Sequence, residues 1–380
     1  VATRVPGTLV PMTTNTSDPG LTLTSPADIL AAVPYLVGFH PTDSLVVVGL
    51  TGRGRAQVAV RWSLPFPAGA LAPLGSLFAR EGVTRIVVVG YGPGERVTPA
   101  VDEARAEAAK AGVQVEEALR AHESRYWSYI CDIPGCCPPQ GTPYDPVASR
   151  VAAEATVRGM VALPDRRALE HTIAPVTGPV RVAMRRATAE VVADVRAGLA
   201  AAGRSGAGAD AFARDFVDRG LARVRAALAV HAGGGRIDDA EAARIGLDLA
   251  VIRVRDEAWT LMEDSHTGLW KDLMRRLEPR FAPPAATLFA MAAWLGGDST
   301  QATIALERAL AIDPGYSMAN LLMHALQSLL SPGTLSGRLP TPAELDTAMG
   351  APHAGWLLPL FALLDQEPQA HPAPCSLTPT

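Results

Sequence analysis

The stretch Leu21–Leu50, LTLTSPADILAAVPYLVGFHPTDSLVVVGL, decides the fold. Ser25-Pro26-Ala27-Asp28 has the form of a helix start. A Ser hydroxyl accepts from the free N–H groups of the first turn, Pro26 needs no donor there, and Asp28 sits at the positive end of the dipole. Ile29, Leu30, Val33, Leu36 and Val37 recur at three- and four-residue steps, so one face of the helix is apolar. Pro34 is expected to kink or shorten it. Gly38 lets the chain leave at positive φ, and Pro41 holds the exit extended. Leu45–Leu50 is then a continuous valine-rich run, the pattern of a strand buried on both faces.

Further along, Val58, Val60 and Trp62 alternate with polar or small residues in Ala56–Ser63, which predicts a second strand paired to the first as a hairpin across Thr51–Arg55. Residues 85–89, RIVVV, predict another buried strand, followed by a glycine-rich turn and a helix over Pro99–Ala111. A short helix is expected near Ala68–Glu81, and a strand pair over Val113–Ala118 and Ser124–Ile130. Strands interleaved with helices make a mixed α/β layer over residues 21–146. From Val147 to Pro332 the strand signals vanish. Nine helical segments between Gly and Pro breaks, one of them spanning Asp238–Met262, predict an α-helical domain. Within it Ala302, Leu306, Ala309 and Pro314 match the spacing of the second helix of a tetratricopeptide hairpin, with Gly297 at the turn; no second copy follows at a 34-residue shift. Residues 1–20 are expected to be disordered. Residues 333–380 are expected to be a Pro-rich tail with one short amphipathic piece near Trp356–Leu364. Met12 is the expected translation start, Val1 being read as an upstream GTG codon.

The block from Leu21 to Leu50, the segment Cys131-Asp132-Ile133-Pro134-Gly135-Cys136-Cys137-Pro138 and the Ala305–Leu322 segment together resemble an actinobacterial family catalogued as a domain of unknown function. The likeness covers most of residues 21–332. It implies a cytosolic bacterial protein and supplies no catalytic residues.

Composition bounds the rest. A chain of 380 residues with 48% hydrophobic residues has enough apolar mass for two cores. Its basic residues are 32 Arg and only 2 Lys, the skew of a GC-rich coding sequence. A net charge of −4 gives no field favouring nucleic acid. The most apolar helical run, Leu321–Leu330, is interrupted by His324, Gln327 and Ser328, short of the roughly 18 residues of a membrane span. No signal peptide is legible either, so no membrane is expected and the expected location is the cytoplasm.

Three groups of residues carry chemistry. Gly90-Tyr91-Gly92-Pro93-Gly94 stands between a strand and a helix, where α/β sheets hold small ligands if the strand has a parallel neighbour. Glu95 occupies the place of the third glycine of a dinucleotide loop, which favours a tight turn instead. His40, Asp43 and Ser44 offer a base, a carboxylate and a hydroxyl within five residues. Their loop precedes its strand, which argues for a structural role. Cys131, Cys136 and Cys137 lie within seven residues, beside Tyr126, Trp127 and Tyr129. Buried structural thiols, a reversible disulfide and a metal centre all remain open; zinc needs a fourth ligand, for which His122 and His40 are the available partners. Between Leu163 and Arg236, 12 Arg stand against 7 acidic residues. Pairs such as Arg214 with Asp218 and Asp215 with Arg219 at i,i+4 read as a solvated face rather than a nucleic-acid stripe.

The expectation is a non-catalytic binding or regulatory protein that meets a protein partner through its helical half, with a small ligand or the redox state sensed by the α/β half. The alternatives are an enzyme whose site joins the His40, Tyr91 and Cys131–Cys137 loops, and a structural zinc protein. Trp127 completes the candidate binding residues.

Overall fold

The computed structural model describes residues 8–11, 23, 25–51, 56–133, 136–203, 206–335 and 339–366. The chain divides into two compact units. Val1–Thr172, Gly297–Thr303 and Met323–Pro332 form the first; Ile173–Gly296, Ile304–Leu322 and Gly333–Thr380 form the second.

The first unit is a mixed sheet covered on both faces. Its helix α1 (Pro26–Val37) starts where the sequence predicts: Asp28 N donates to Ser25 Oγ at 3.2 Å, and Gly38 closes the helix at φ 84°. Pro34 lies inside it. The strands are β1 (Thr8–Pro11), β2 (Ser44–Leu50), β3 (Ala56–Ser63), β4 (Arg85–Tyr91), β5 (Gln114–His122), β6 (Arg125–Ser128) and β7 (Thr142–Pro143), with helices α2 (Leu74–Arg80) and α3 (Gly94–Lys110) between them. They line up as β1-β3-β2-β4-β5-β6-β7. β4 and β5 are parallel through the α3 crossover, and β2 is antiparallel to both β3 and β4. Leu45, Val47, Trp62 and Val88 face α2 and α3, where Leu77, Phe78, Val97 and Val101 bury them. Val46, Val48 and Val89 face Leu30, Val33 and Val37 of α1. Each side of β2 is therefore covered, which is why its sequence shows no alternation. Each such side chain contributes about 1.5–3 kcal/mol when fully buried.

Several expectations are corrected here. Helix α3 begins five residues before Pro99, because Pro93 takes the extended cap position and Glu95 falls in the first turn, where its charge favours the dipole. The 1–20 segment was expected to be disordered, yet Thr8–Pro11 pairs with β3; its other residues lie outside those described. The first unit runs on past residue 146, to Thr172. Helix α4 (Arg150–Val157) buries Val151 against Ala31 and Ala32 of α1, Leu163 bridges to Phe39, and α5 (Arg166–Thr172) closes the unit.

The second unit is helical, with α6 (Gly178–Ala202), α7 (Ala207–Ala232), α8 (Asp239–Asp248), α9 (Ile252–Thr260), α10 (Thr267–Arg276) and α11 (Ala282–Leu295), and then α14 (Pro342–Met349) and α15 (Leu358–Asp365). Helices α12 (Ser299–Ile312) and α13 (Ser317–Gln327) each run through a division point between units. Every residue from Ala282 to Trp294 is buried, so α11 is the apolar centre of the array. The predicted helix Asp238–Met262 is two helices: α8 ends at Asp248 and α9 restarts at Ile252. Around that break Asp248 and Glu257, both fully buried, are held by Arg223 at 2.6 Å and Arg253 at 2.8 Å, with Arg225 at 2.6 Å from Glu257. Two of the arginines counted in that surplus, Arg223 and Arg225, are spent on these carboxylates. Arg219 pairs with Asp215 as expected, whereas among the described residues no ion pair joins Arg214 to Asp218.

The described part of 333–380 carries two α-helices. Thr341 and Glu344 form a capping box at the start of α14, Arg253 reaches Asp346 at 2.7 Å, and α15 buries Leu360 and Leu364. Its last residues, with Cys375, lie outside those described. Ala302, Leu306 and Ala309 are buried along α12, as any packed helix requires, and this does not establish a tetratricopeptide relation. No single helix among the described residues is long and apolar enough to cross a membrane.

Candidate metal centre

The cysteine loop is built by the end of the sheet. Strands β5 and β6 turn through Glu123 and Ser124, at φ 48° and 57°, the left-handed pair that suits a two-residue hairpin. At the end of β6 the Ser128 hydroxyl donates to Glu117 Oε1 at 2.8 Å and accepts from the N–H groups of Ile130 and Cys131 at 3.3 and 3.1 Å. One hydroxyl thus turns the chain out of the sheet. The loop returns past Trp127, whose Nε1 donates to Pro139 O at 2.9 Å, and Arg125, which donates to Gly141 O at 2.9 Å. Gly141 lies against the Trp127 indole at φ 79°, and a Cβ there would stand 2.6 Å from the ring. The Arg120 guanidinium lies over the Trp127 ring, 3.7 Å from a ring centroid. Trp127, a candidate binding residue, anchors this loop.

Between those anchors the sulfurs of Cys131, Cys136 and Cys137 all lie within 4.8 Å of one another, as free thiols. Cys136 is exposed and the other two are half-buried. The N–H of Ile133 and the thiols of Cys137 and Cys136 point their protons at Cys131 and hold its thiol below the ordinary range. Cys137, which donates to Cys131 and is also partly desolvated, is pushed up to about 11. The set therefore ionises first at Cys131, and a cation held there would displace the remaining protons. Among the described residues no His, Asp or Glu joins the three sulfurs. The expected zinc partners fail for a structural reason. Strand alternation puts His122 two places beyond Arg120, on the α3 side, where its Nε2 lies 3.7 Å from Glu123. Tyr126, which feels Cys137 and Cys136, packs on the α1 side. His40 is fixed elsewhere by its backbone N–H to Leu163 O at 2.9 Å.

The other two candidate groups meet each other. Because β2 runs antiparallel to β4, Ser44 pairs with Tyr91 and the His40 loop lies at the edge where β4 ends. The objection that a loop preceding its strand lies at the wrong end applies to parallel neighbours and fails here. Yet the groups are committed to the fold. Ser44, fully buried, donates to Thr42 O at 2.7 Å and accepts from Arg61 Nε at 3.0 Å. Asp43, at φ 41°, pairs with Arg96, and its carbonyl accepts from Leu64 N at 2.8 Å. Among the described residues no hydrogen bond links His40 to Asp43 or Ser44, and the Ser44 proton goes to Thr42 O. Gly92 N donates to Ala121 O at 2.9 Å, and Tyr91 is a core residue of the α1 face. The Tyr91 hydroxyl is buried with no partner among the described residues, and burial raises its pKa well above the usual tyrosine range. Tyr144 lies beside it and meets Tyr126 edge-on at 6.0 Å.

Residues 26–333 match the sequence model of the family described as Domain of unknown function (DUF4192). The chain belongs to that family. The match spans β2 to β7, the three clustered cysteines and most of the helical array, in keeping with the resemblance carried by the α1–β2 block. No curated protein and no solved structure matches the chain. Sequence reading found the cysteines of this family member but missed Ser128, Arg125 and Gly141, which position them. The one local signal was Ser128 three residues before Cys131, the spacing of a hydroxyl that turns a chain.

Proposed function

We propose that this family member is a non-catalytic binding protein whose α/β unit takes up a thiophilic metal ion through Cys131, Cys136 and Cys137. The observation that supports it is the convergence of three sulfurs within 4.8 Å on a loop pinned at both ends. Thiolates select zinc and copper(I) among the common ions. With Zn–S near 2.3 Å, sulfurs of a tetrahedral site stand about 3.7 Å apart, so the loop needs to contract by about an ångström at most. Three protein ligands leave a fourth position for water or for a group from a partner, unlike a closed four-ligand structural site. A protein partner is proposed for the helical unit, on the strength of the helical array alone.

Titration of the reduced protein with zinc or cadmium, followed by the ultraviolet thiolate-to-metal band, tests the reading. The expected result is one ion per chain and loss of the band in Cys131→Ser, Cys136→Ser and Cys137→Ser alike. A full thiol count that zinc leaves equally reactive contradicts it.

A further inference from the structure

Arginines of the helical unit converge on the carboxyl end of α10. Arg181, in the first turn of α6 and 6% exposed, donates to the carbonyls of Arg276 and Leu277 at 3.1 Å each. Arg308 of α12 donates to Ile173 O at 3.0 Å and Met274 O at 2.9 Å. Arg275 donates through Nε to Ala174 O at 2.9 Å. Arg185, one turn beyond Arg181 and exposed, adds a fourth charge facing Arg181. Cations are favoured at a helix carboxyl end, but that end amounts to about half a negative charge, which one arginine already offsets. Among the described residues none of the four has a carboxylate within 4.0 Å. Glu278 faces Arg181 but is paired with Arg280 at 3.4 Å.

Two further features mark the cluster. The Nε of Arg181 is buried with no acceptor, a donor whose loss from water goes uncompensated. Burial and the neighbouring Arg181 and Arg275 pull the Arg308 guanidinium down to about 10. Capping bonds occupy a minority of the N–H donors that these guanidiniums carry. Arg275 and Arg308 are half-buried, so the cluster reaches solvent.

We infer that Arg181, Arg185, Arg275 and Arg308 form a binding site for a compact phosphate-type oxyanion, free or carried by a small molecule. Planar guanidinium forks match the oxygens of such a group, and an anion neutralises a set of cations that the protein itself leaves without a carboxylate. An extended nucleic acid fits less well, since a single member of the set is exposed and the chain carries a net charge of −4. The site shares no residue with the thiol cluster and stands or falls separately from it.

Calorimetric titration of the full chain with inorganic phosphate and with pyrophosphate, at constant ionic strength against a chloride control, tests this. The expected result is one saturable site for either oxyanion, weakened about thirtyfold in Arg308→Gln and about threefold in Arg185→Ala. Tighter pyrophosphate than phosphate binding points to a polyphosphate-bearing ligand; equal binding points to a single phosphate group. Arg308→Gln also loses two carbonyl bonds, so Arg185→Ala, which removes none, carries the test if the first variant does not fold. Absence of saturable heat, affinity unchanged in Arg185→Ala, or an oligonucleotide that binds without displacement by pyrophosphate overturns the inference.

Discussion

Two regions of one sheet carry the reactive residue types of this chain, and they have opposite fates. Where β2 and β4 meet, His40, Asp43, Ser44 and Tyr91 lie together, yet Ser44 and Asp43 spend their polar groups on Arg61, Arg96 and the backbone. On the loop after β6 the three cysteines are anchored by neighbours and hydrogen-bond to one another as free thiols. Residue type alone marks both as sites. What separates them is whether packing has already consumed the lone pairs and protons that a ligand would use.

Substitutions sharpen this contrast. The largest stability loss is expected at the first region, from Gly90→Ala. A Cβ at Gly90 would stand 2.1 Å from Val97 Cγ1, where β4 and α3 approach closely. Overpacking there costs about 1–3 kcal/mol, and urea unfolding of the variant should show the top of that range with metal uptake by the folded fraction unchanged. Ser44→Ala follows, at about 2 kcal/mol, because it leaves the buried Arg61 Nε without its hydroxyl acceptor. A catalytic role for Ser44 would instead be signalled by unaltered stability. Gly141→Ala strains a positive φ and displaces Trp127, at about 1 kcal/mol. Unlike the first two, it should also weaken metal binding, since it loosens the thiol loop. Arg96→Ala removes a half-exposed ion pair and should cost less than about 1 kcal/mol, falling further in high salt.

The opening helix and strand were legible in the sequence because their signals are local: Ser25 caps, Gly38 closes, and a valine run needs no partner to be recognised. Strand order was not. That β2 is antiparallel to β4 depends on residues some forty positions apart, and it reverses the argument about where the His40 loop lies. The break between α8 and α9 was hidden because Leu249, Ala250 and Val251 continue the apolar pattern while leaving the helix. The packing of α14 depends on Arg253 reaching Asp346, a tertiary contact that a Pro-rich composition does not announce. At the site, the spacing of the cysteines was informative, whereas the exclusion of His122 came from strand alternation that only the register defines.

The most direct test of the account is the pH dependence of metal uptake by the reduced chain. The lowered pKa of Cys131 provides one thiolate early, whereas Cys137, at about 11, has to lose its proton to the ion. Zinc or cadmium affinity should therefore rise steadily from mildly acid to alkaline pH, with proton release on binding at neutral pH and a stoichiometry of one. Affinity independent of pH, or uptake that survives the Cys131→Ser substitution, would show that the three sulfurs do not act as one centre.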